Sequence, residues 1–380
     1  MKIAVNTRLL LEGRLEGIGV FTAETLRLIT QQHPEHEFIF LFDRPYSNQF
    51  VFNTNVRPVV IGPPARHPVL WYGWFEWSVP YILRKSGADL FLSPDGYGSL
   101  RAPCPQVITI HDLAFEHFDD QVDALTRRYY RFFTPRYARK AARIIAVSEY
   151  TKNDLIKHYS IDPEKIVVAC NGVDRYFRPL TESECQRVRE RISGGKAYFL
   201  YAGAIQPRKN IVRLLQAYDL YRRQHPHGLK LVLAGRRWHY PEAQQAFRSM
   251  VYRNEVIWLG HLSRAELAEL MGAATALVYV SLFEGFGIPL IEAMYSDVPI
   301  ITSNTSSMPE VAGQAALLVD PTDTLAIAAA MSRIATEADL RAQLIEKGRQ
   351  QRQRFSWQRA ADRVWQAIQQ VLPLTEGVSR

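Results

Sequence analysis

The chain has 380 residues, 47% of them hydrophobic and 22% charged. That balance excludes a largely disordered protein and, at roughly 100–200 residues per domain, fits two domains. Lys and Arg number 46 against 38 Asp and Glu, a net charge of +8, which favours acidic partners (phosphorylated metabolites, nucleic acid or an anionic lipid surface) without choosing among them.

The opening, MKIAVNTRLL, reads as a first strand and not as a signal peptide, because its apolar run is short and lacks a small-residue cleavage site. No apolar stretch reaches the roughly 20 residues that span a bilayer. The cysteines Cys104, Cys170 and Cys185 match neither a disulfide framework nor a zinc site, which points to a reducing compartment.

Short apolar runs then alternate with longer amphipathic stretches. In the first half the runs are Ile3–Val5, Phe38–Phe42, Val59–Ile61, Leu90–Leu92, Val107–Ile110, Ile144–Val147 and Ile166–Ala169. In the second half they are Tyr198–Tyr201, Leu229–Leu233, Val256–Leu259, Ala276–Val280, Pro299–Thr302 and Ala315–Val319. Runs with so little polar alternation are strands covered on both faces. Helices are expected between them, for instance at Thr22–Gln31, Asn210–Arg223, Arg264–Ala273 and Pro289–Ala293, and Thr322–Val371 reads as mostly helical. The pattern predicts an α/β protein with parallel sheets and right-handed crossovers. A polar dip at Arg175–Lys196, carrying Gly194-Gly195, separates two sets of similar size. Two doubly wound domains imply a cleft, with ligands at the carboxyl ends of the strands.

The strongest motif runs from Ser281 to Met294, SLFEGFGIPLIEAM. It follows a strand and opens a helix. Pro289 suits the first helical positions, and Gly285 and Gly287 let the backbone approach a ligand at a helix start. Glu284 in the loop and Glu292 in the helix are expected to face one mouth, where a carboxylate can accept from vicinal sugar hydroxyls. Plain helix-start chemistry is the alternative. Arg208-Lys209-Asn210 also sits between a strand and a helix, where a cation pair suits a diphosphate; a solvated loop is its alternative. Gly17-Ile18-Gly19 is expected in the loop after the first strand, and His111-Asp112 at the end of the strand Val107–Ile110. For His111 a structural histidine and a ligand contact both stand. The chain carries no Asp-x-Asp, G-x-S-x-G or Walker A sequence, and its histidines do not fall at metal-ligand spacings.

Glu284 to Glu292 resembles the E-x7-E element of the retaining nucleotide-sugar glycosyltransferases of family 4, the group 1 glycosyl transferases, which have the GT-B fold. The resemblance continues through Asp297–Ser303, Ser307–Val311 and Asp320-Pro321. It also takes in Gly203–Asn210, Gly17–Phe21, His111-Asp112, Val147–Glu149 and Asn171–Asp174, so it covers nearly the whole chain in order. It implies two Rossmann-like doubly wound domains facing across a cleft. The acceptor domain would be residues 1–178, completed by a carboxy-terminal helix at about 357–380, and the nucleotide-sugar domain residues 179–356. By the same resemblance Glu292 holds the donor ribose and Glu284 the donor hexose. The backbone of Gly285, Phe286, Gly287 and Ile288 meets sugar and phosphates, and Arg208 and Lys209 stabilise the leaving diphosphate. Gly19 and Gly203 lie against the donor, His111 contacts its sugar, and groups near His261 and Leu262 read the base. Many relatives carry an arginine where this chain has Ala204, so Lys209 is the principal expected cation.

The implied activity is metal-independent retaining transfer of a hexose, mannose as the first choice, from a nucleotide sugar to a glycan or lipid-linked glycan. No cofactor is expected, and the setting is bacterial surface-polysaccharide or lipopolysaccharide assembly in the cytoplasm. A nucleotide-sugar epimerase of the same architecture and a non-catalytic sugar-binding subunit are the alternatives. On the acceptor side, the aromatic stretch Val69–Trp77 and a segment with Arg127, Arg128, Arg131, Arg136, Arg139, Lys140 and Arg143 among aromatics suggest peripheral contact with an anionic membrane. A core helix with a solvated basic face is the alternative, and no nucleic-acid module appears.

Overall fold

A computed structural model describes residues 1–13, 15–119, 122–236 and 240–371. By contact the chain divides into two units, one comprising Met1–Gly172 and the segment from Ser356, the other Val173–Phe355.

The first unit is built on β1 (Lys2–Asn6), β2 (Glu37–Phe42), β3 (Val56–Val60), β4 (Leu90–Ser93), β5 (Gln106–Ile110), β6 (Arg143–Ala146) and β7 (Ile166–Val168). They form one sheet in the order β3-β2-β1-β4-β5-β6-β7, with every pairing parallel. The strands β4 and β5 are buried along their whole length, as expected where crossover helices cover both faces. The helices are α1 (Gly17–Gln32), α2 (Pro68–Gly73), α3 (Val79–Ser86), α4 (Ala114–His117), α5 (Ala124–Lys140) and α6 (Glu149–Tyr159). A π turn, Trp74–Ser78, joins α2 to α3.

Two local expectations are corrected here. Gly17-Ile18-Gly19 is not loop but the first turn of α1. Gly19 is needed for packing: a Cβ there would come within 2.9 Å of the Leu9 carbonyl oxygen and 3.0 Å of Leu15 Cδ2. And β3 begins at Val56, ahead of the run Val59–Ile61. Arg57 and Pro58 hid its start, and the proline is tolerated because β3 is an edge strand.

The second unit contains β8 (Tyr198–Ala202), β9 (Lys230–Ala234), β10 (Val256–Leu259), β11 (Ala276–Tyr279), β12 (Ile300–Ser303) and β13 (Ala316–Val319). Their order is β10-β9-β8-β11-β12-β13, again all parallel. Around them lie α7 (Glu182–Ser193), α8 (Ile211–Gln224), α9 (Pro241–Ser249), α10 (Arg264–Gly272), α11 (Ile288–Tyr295), α12 (Met308–Ala312), α13 (Thr324–Thr336) and α14 (Ala338–Gln351). Capping boxes start α7 at Thr181/Glu184 and α10 at Ser263/Glu266, which satisfies backbone donors that a helix start leaves unpaired.

The chain then returns to the first unit as α15 (Trp357–Gln369). Its buried residues Trp357, Ala360, Ala361, Val364, Trp365 and Ile368 fall at helical spacing on one face. Trp365 stacks on His33, the residue that follows α1, at 3.7 Å between ring centroids. Gly172 passes so close to the start of α15 that a Cβ would lie 2.2 Å from the Trp357 nitrogen. Only glycine permits that seat. Among the described residues no helix is long and apolar enough to cross a membrane.

Candidate active site

In each sheet the chain leaves in opposite directions from two neighbouring central strands. In the second unit these are β8 and β11, and the loops after them part there and leave a natural binding place. After β8, Gly203 and then Ile205 lead into a short 3₁₀ turn, Pro207–Lys209, and Asn210 adopts a left-handed conformation (φ 61°) that starts α8. The Asn210 amide donates to the carbonyls of Val280 (2.9 Å) and Pro321 (2.6 Å), and Leu282 N–H donates to the Arg208 carbonyl (2.8 Å). These bonds lock the β8 loop to the β11 loop. Gly235, after β9, lies against them: a Cβ would fall 1.9 Å from the Gly203 carbonyl oxygen.

The locked loops gather charge. Arg208 donates to Glu284 Oε2 at 3.0 Å and to the Phe283 carbonyl at 3.1 Å. Lys209 Nζ donates to Glu284 Oε1 and, at 2.8 Å, to the Tyr279 hydroxyl, which itself donates to Glu284 Oε1 at 2.8 Å. Lys209 and Glu284 are only 8% and 6% exposed. Burial alone would push the Glu284 carboxyl up; the adjacent Lys209 and Arg208 charges outweigh it and hold it at about 2. Burial also pushes the Tyr279 hydroxyl well above its ordinary value, so it stays a donor. At the strand ends two cations thus meet the one carboxylate of Glu284.

Glu284 N–H donates to Ser306 Oγ and Ser307 Oγ donates to the Glu284 carbonyl, which fixes the motif loop. Past Gly285 and the buried Phe286, Gly287 takes φ 95° as the N-cap of α11, a conformation that favours glycine, and Pro289 sits in the helix's first turn. Glu292 on α11 does not join Glu284's cluster of cations. Its Oε1 accepts from Arg264 at 2.8 Å, and its side chain is 2% exposed against 33% for Arg264. Arg264 also lies over the Phe177 ring (4.9 Å) and 4.0 Å from Asp174. His261 and Leu262 lie just before this arginine, in the connection from β10 to α10.

The structure thus brings Arg208, Lys209 and Glu284 together at the end of β8 and β11, with Gly203, Gly285, Phe286 and Gly287 in the flanking loops and Ile288 as the first residue of α11. Sequence reading missed Tyr279 and Arg264. Tyr279 was absorbed into an apolar strand, although a buried tyrosine hydroxyl calls for a partner. Arg264 was visible only as a helix start.

The first unit places Gly19 and His111 in separate elements, α1 and the connection after β5. His111 Nε2 lies 2.8 Å from the Pro94 carbonyl, which can only accept, so that nitrogen carries the proton. Burial pushes the imidazole pKa down, keeping the ring neutral with Nδ1 as an acceptor. Phe21 of α1 packs edge-on against the ring at 5.2 Å, and Asp112 accepts from Ala114 N–H to start α4 (3.0 Å). At this sheet's own parting, between β1 and β4, Arg8 is paired with Asp95 (2.6 Å), and its guanidinium lies 4.3 Å from the Tyr97 ring centroid. Sequence reading singled out neither Arg8 nor Asp95.

Two doubly wound units with charged loops at a strand parting have the architecture of nucleotide-handling α/β proteins. Comparison makes this specific. Residues 15–176 match the model of Glycosyltransferase Family 4 and residues 182–351 that of Glycosyl transferases group 1. The chain is 31% identical over 259 residues to O-antigen chain mannosyltransferase B of Escherichia coli, covering 66% of this chain and 67% of that one. It is 30% identical over 256 residues to O-antigen chain mannosyltransferase RfbU of Salmonella typhimurium, covering 67% and 68%. The fold matches that of Anabaena Alr3699/HepE, solved in complex with UDP and glucose, with a TM-score of 0.75 at 18% identity over 97% of this chain and 99% of that one. The chain belongs to the group 1 glycosyltransferases of family 4, with the GT-B fold, and is a glycosyltransferase.

The Glu284 cluster has a pH signature. Its folded pKa lies below the ordinary 4.5, so the stabilisation is present above about pH 4.5 and fades as pH falls toward 2, amounting to about 3 kcal/mol. Glu284→Gln removes the carboxylate that pairs with Arg208 and with the buried Lys209 and should lower the melting temperature at pH 7 by roughly 5–10 °C. The gap to wild type should shrink at pH 3.5, as thermal unfolding at the two pH values will show. Equal melting temperatures at pH 7 would contradict the role of the pair.

Proposed function

We propose that the protein transfers a hexosyl group, mannosyl in the first instance, from a nucleoside-diphosphate sugar to an acceptor hydroxyl with retention of the anomeric configuration, giving an α-linkage. The observation that carries this reading is the pair of cations, Arg208 and Lys209, held by Glu284 at the ends of β8 and β11. A diphosphate brings negative charge to match it. As the bond from sugar to phosphate breaks, charge grows on the leaving phosphate, and fixed cations already in place stabilise it without reorganising. The acceptor hydroxyl attacks from the leaving group's own face, and the departing phosphate takes its proton. No protein nucleophile is needed and, with two side-chain cations on the diphosphate, no metal is needed for the transfer. Glu284 orients the cations and accepts from a hexose hydroxyl, while His111 Nδ1 accepts from a sugar hydroxyl. Glu292 holds the ribose once Arg264, the more exposed partner of that pair, swings aside. Gly19, the Gly203 loop and the backbone from Gly285 to Ile288 line the donor, and the connection with His261 and Leu262 meets the base. The mannosyl preference rests on the O-antigen mannosyltransferases among the relatives.

The setting we infer is surface-polysaccharide assembly on the cytoplasmic face of a membrane, with a lipid-linked glycan as acceptor. Supporting it, Arg127, Arg128, Arg131, Phe132 and Arg136 of α5 line a shallow hollow of about 430 Å³. Val69, Trp77 and Tyr81 of the α2–α3 segment are 58–66% exposed. Basic and aromatic groups together suit an anionic bilayer surface.

Five experiments test this reading. In a thermal-shift panel of GDP-, UDP- and ADP-sugars, GDP-mannose should give the largest stabilisation. Glu292→Ala should weaken its binding by roughly 10–100-fold with the circular dichroism unchanged; undiminished affinity would remove the ribose role. Lys209→Ala should lower kcat by about 10²–10³, and wild-type transfer should persist in EDTA; loss of transfer reversed by magnesium would refute the metal-free scheme. Finally, the protein should sediment with vesicles containing phosphatidylglycerol and not with pure phosphatidylcholine, and Arg128→Glu/Arg136→Glu should stay in the supernatant. Equal sedimentation with both vesicle types would oppose the anionic-surface reading.

A further inference from the structure

Away from the groups assigned above, a second cluster of chemically capable side chains stands in the first unit. His117 ends the one-turn helix α4, and Asp154 and His158 sit one turn apart on α6. The Nε2 of His117 lies 2.8 Å from Asp154 Oδ2, and the Nε2 of His158 lies 3.3 Å from Asp154 Oδ1. The rings meet edge to face with centroids 5.1 Å apart. The ligand atoms of all three residues lie within 4.8 Å of one another. Asp154 is 6% exposed, while both histidines reach solvent.

We propose that His117, Asp154 and His158 form a binding site for a borderline divalent transition ion such as Zn²⁺. The donor set is two imidazole nitrogens and one carboxylate, which is the chemistry such ions take in proteins. Ligands at about 2.0–2.2 Å from a tetrahedral zinc stand roughly 3.3–3.5 Å from one another. The two nitrogen–oxygen separations, 2.8 and 3.3 Å, lie at or just below that value and all three ligand atoms lie within 4.8 Å of one another, so small side-chain rotations close the set. Both Nε2 atoms already aim at one carboxylate from two different helices, and the solvent side leaves the remaining coordination position to water. Asp154, anchored on α6 and buried, fixes the site's floor.

The position suggests what the ion does. Helix α4 has four residues and continues directly from the connection that carries His111 and Asp112. It is tied to α6 by the Tyr159 hydroxyl, which donates to Glu116 at 2.7 Å, while Thr151 of α6 donates to the His111 carbonyl at 3.4 Å. An ion shared by His117 and the α6 pair adds a tie made of coordinate bonds to these two hydrogen bonds. It clips the end of this connection to a longer helix. The ion acts as a brace and takes no part in sugar transfer. Chain spacing does not show the site, because His117 lies 37 residues before Asp154.

The test uses the full chain without a histidine tag, stripped of metal and titrated with zinc chloride alone by calorimetry. One equivalent should bind with micromolar affinity. His117→Gln and His158→Gln should each weaken binding about tenfold or more, and the double variant should bind none. One equivalent of zinc should raise the melting temperature of wild type and leave the double variant unmoved. Both substitutions are at solvent-reaching positions, and the metal-free melting temperatures of wild type and variants report whether the fold survives. Cobalt(II) added to wild type gives an independent reading, since nitrogen and oxygen ligation at low coordination number produces intense visible ligand-field bands. Zinc binding that survives the double substitution, or the absence of both zinc binding and cobalt bands in wild type, would overturn the site.

Discussion

A carboxylate sealed among cations organises the second unit. Glu284 is almost wholly covered, and such a group is costly to bury unless charge and hydrogen bonds surround it. Lys209, Arg208 and the Tyr279 hydroxyl supply both. The arrangement exists because β8 and β11 are neighbours, so the loops that leave them start side by side and the Asn210 amide and Leu282 N–H can tie one to the other. The left-handed Gly287 and the proline after it then launch α11 from the same place. Chemistry and scaffold are thus one network: the cations proposed to meet a diphosphate are the ones that pair with Glu284.

The two units treat the same topological opportunity differently. Where the first sheet parts, the Arg8 charge is neutralised by Asp95 and shielded by aromatic rings, including those of Tyr97 and Phe75. That junction is filled and balanced, and it anchors part of the aromatic segment to the sheet. Where the second sheet parts, two cations, Arg208 and Lys209, gather on the one carboxylate of Glu284. By general electrostatics the second is the better suited to an anion. The first unit contributes a neutral, oriented histidine and, on α5, a run of arginines around a shallow hollow.

The aromatic stretch Val69–Trp77 divides between core and surface, and the reason is geometric. Trp74 and Phe75 are fully buried, whereas Val69, Trp77 and the following Tyr81 are exposed. The π turn between α2 and α3 rotates successive side chains, so one short segment feeds the core and also presents apolar groups outward. Neither a core helix nor a surface patch alone describes it.

What the residues determined unaided was the strand inventory and the motif loops. Strands covered on both faces leave unbroken apolar runs, and each of the thirteen strands among the described residues overlaps such a run, although at the edge strand β3 Arg57 and Pro58 hid where the strand begins. Glycine and proline at a strand-to-helix junction announced the loop of Glu284, and a cation pair at another announced Lys209. Only the tertiary structure decided which charges meet. Glu284 and Lys209 are 75 residues apart and Arg264 and Glu292 are 28 apart. Tyr279 and Arg264 gain their roles from strand order and loop packing, which no local pattern encodes. Side-chain periodicity reports which face of an element is covered; it says nothing about what covers it, and partners in a charged network are chosen by what covers them.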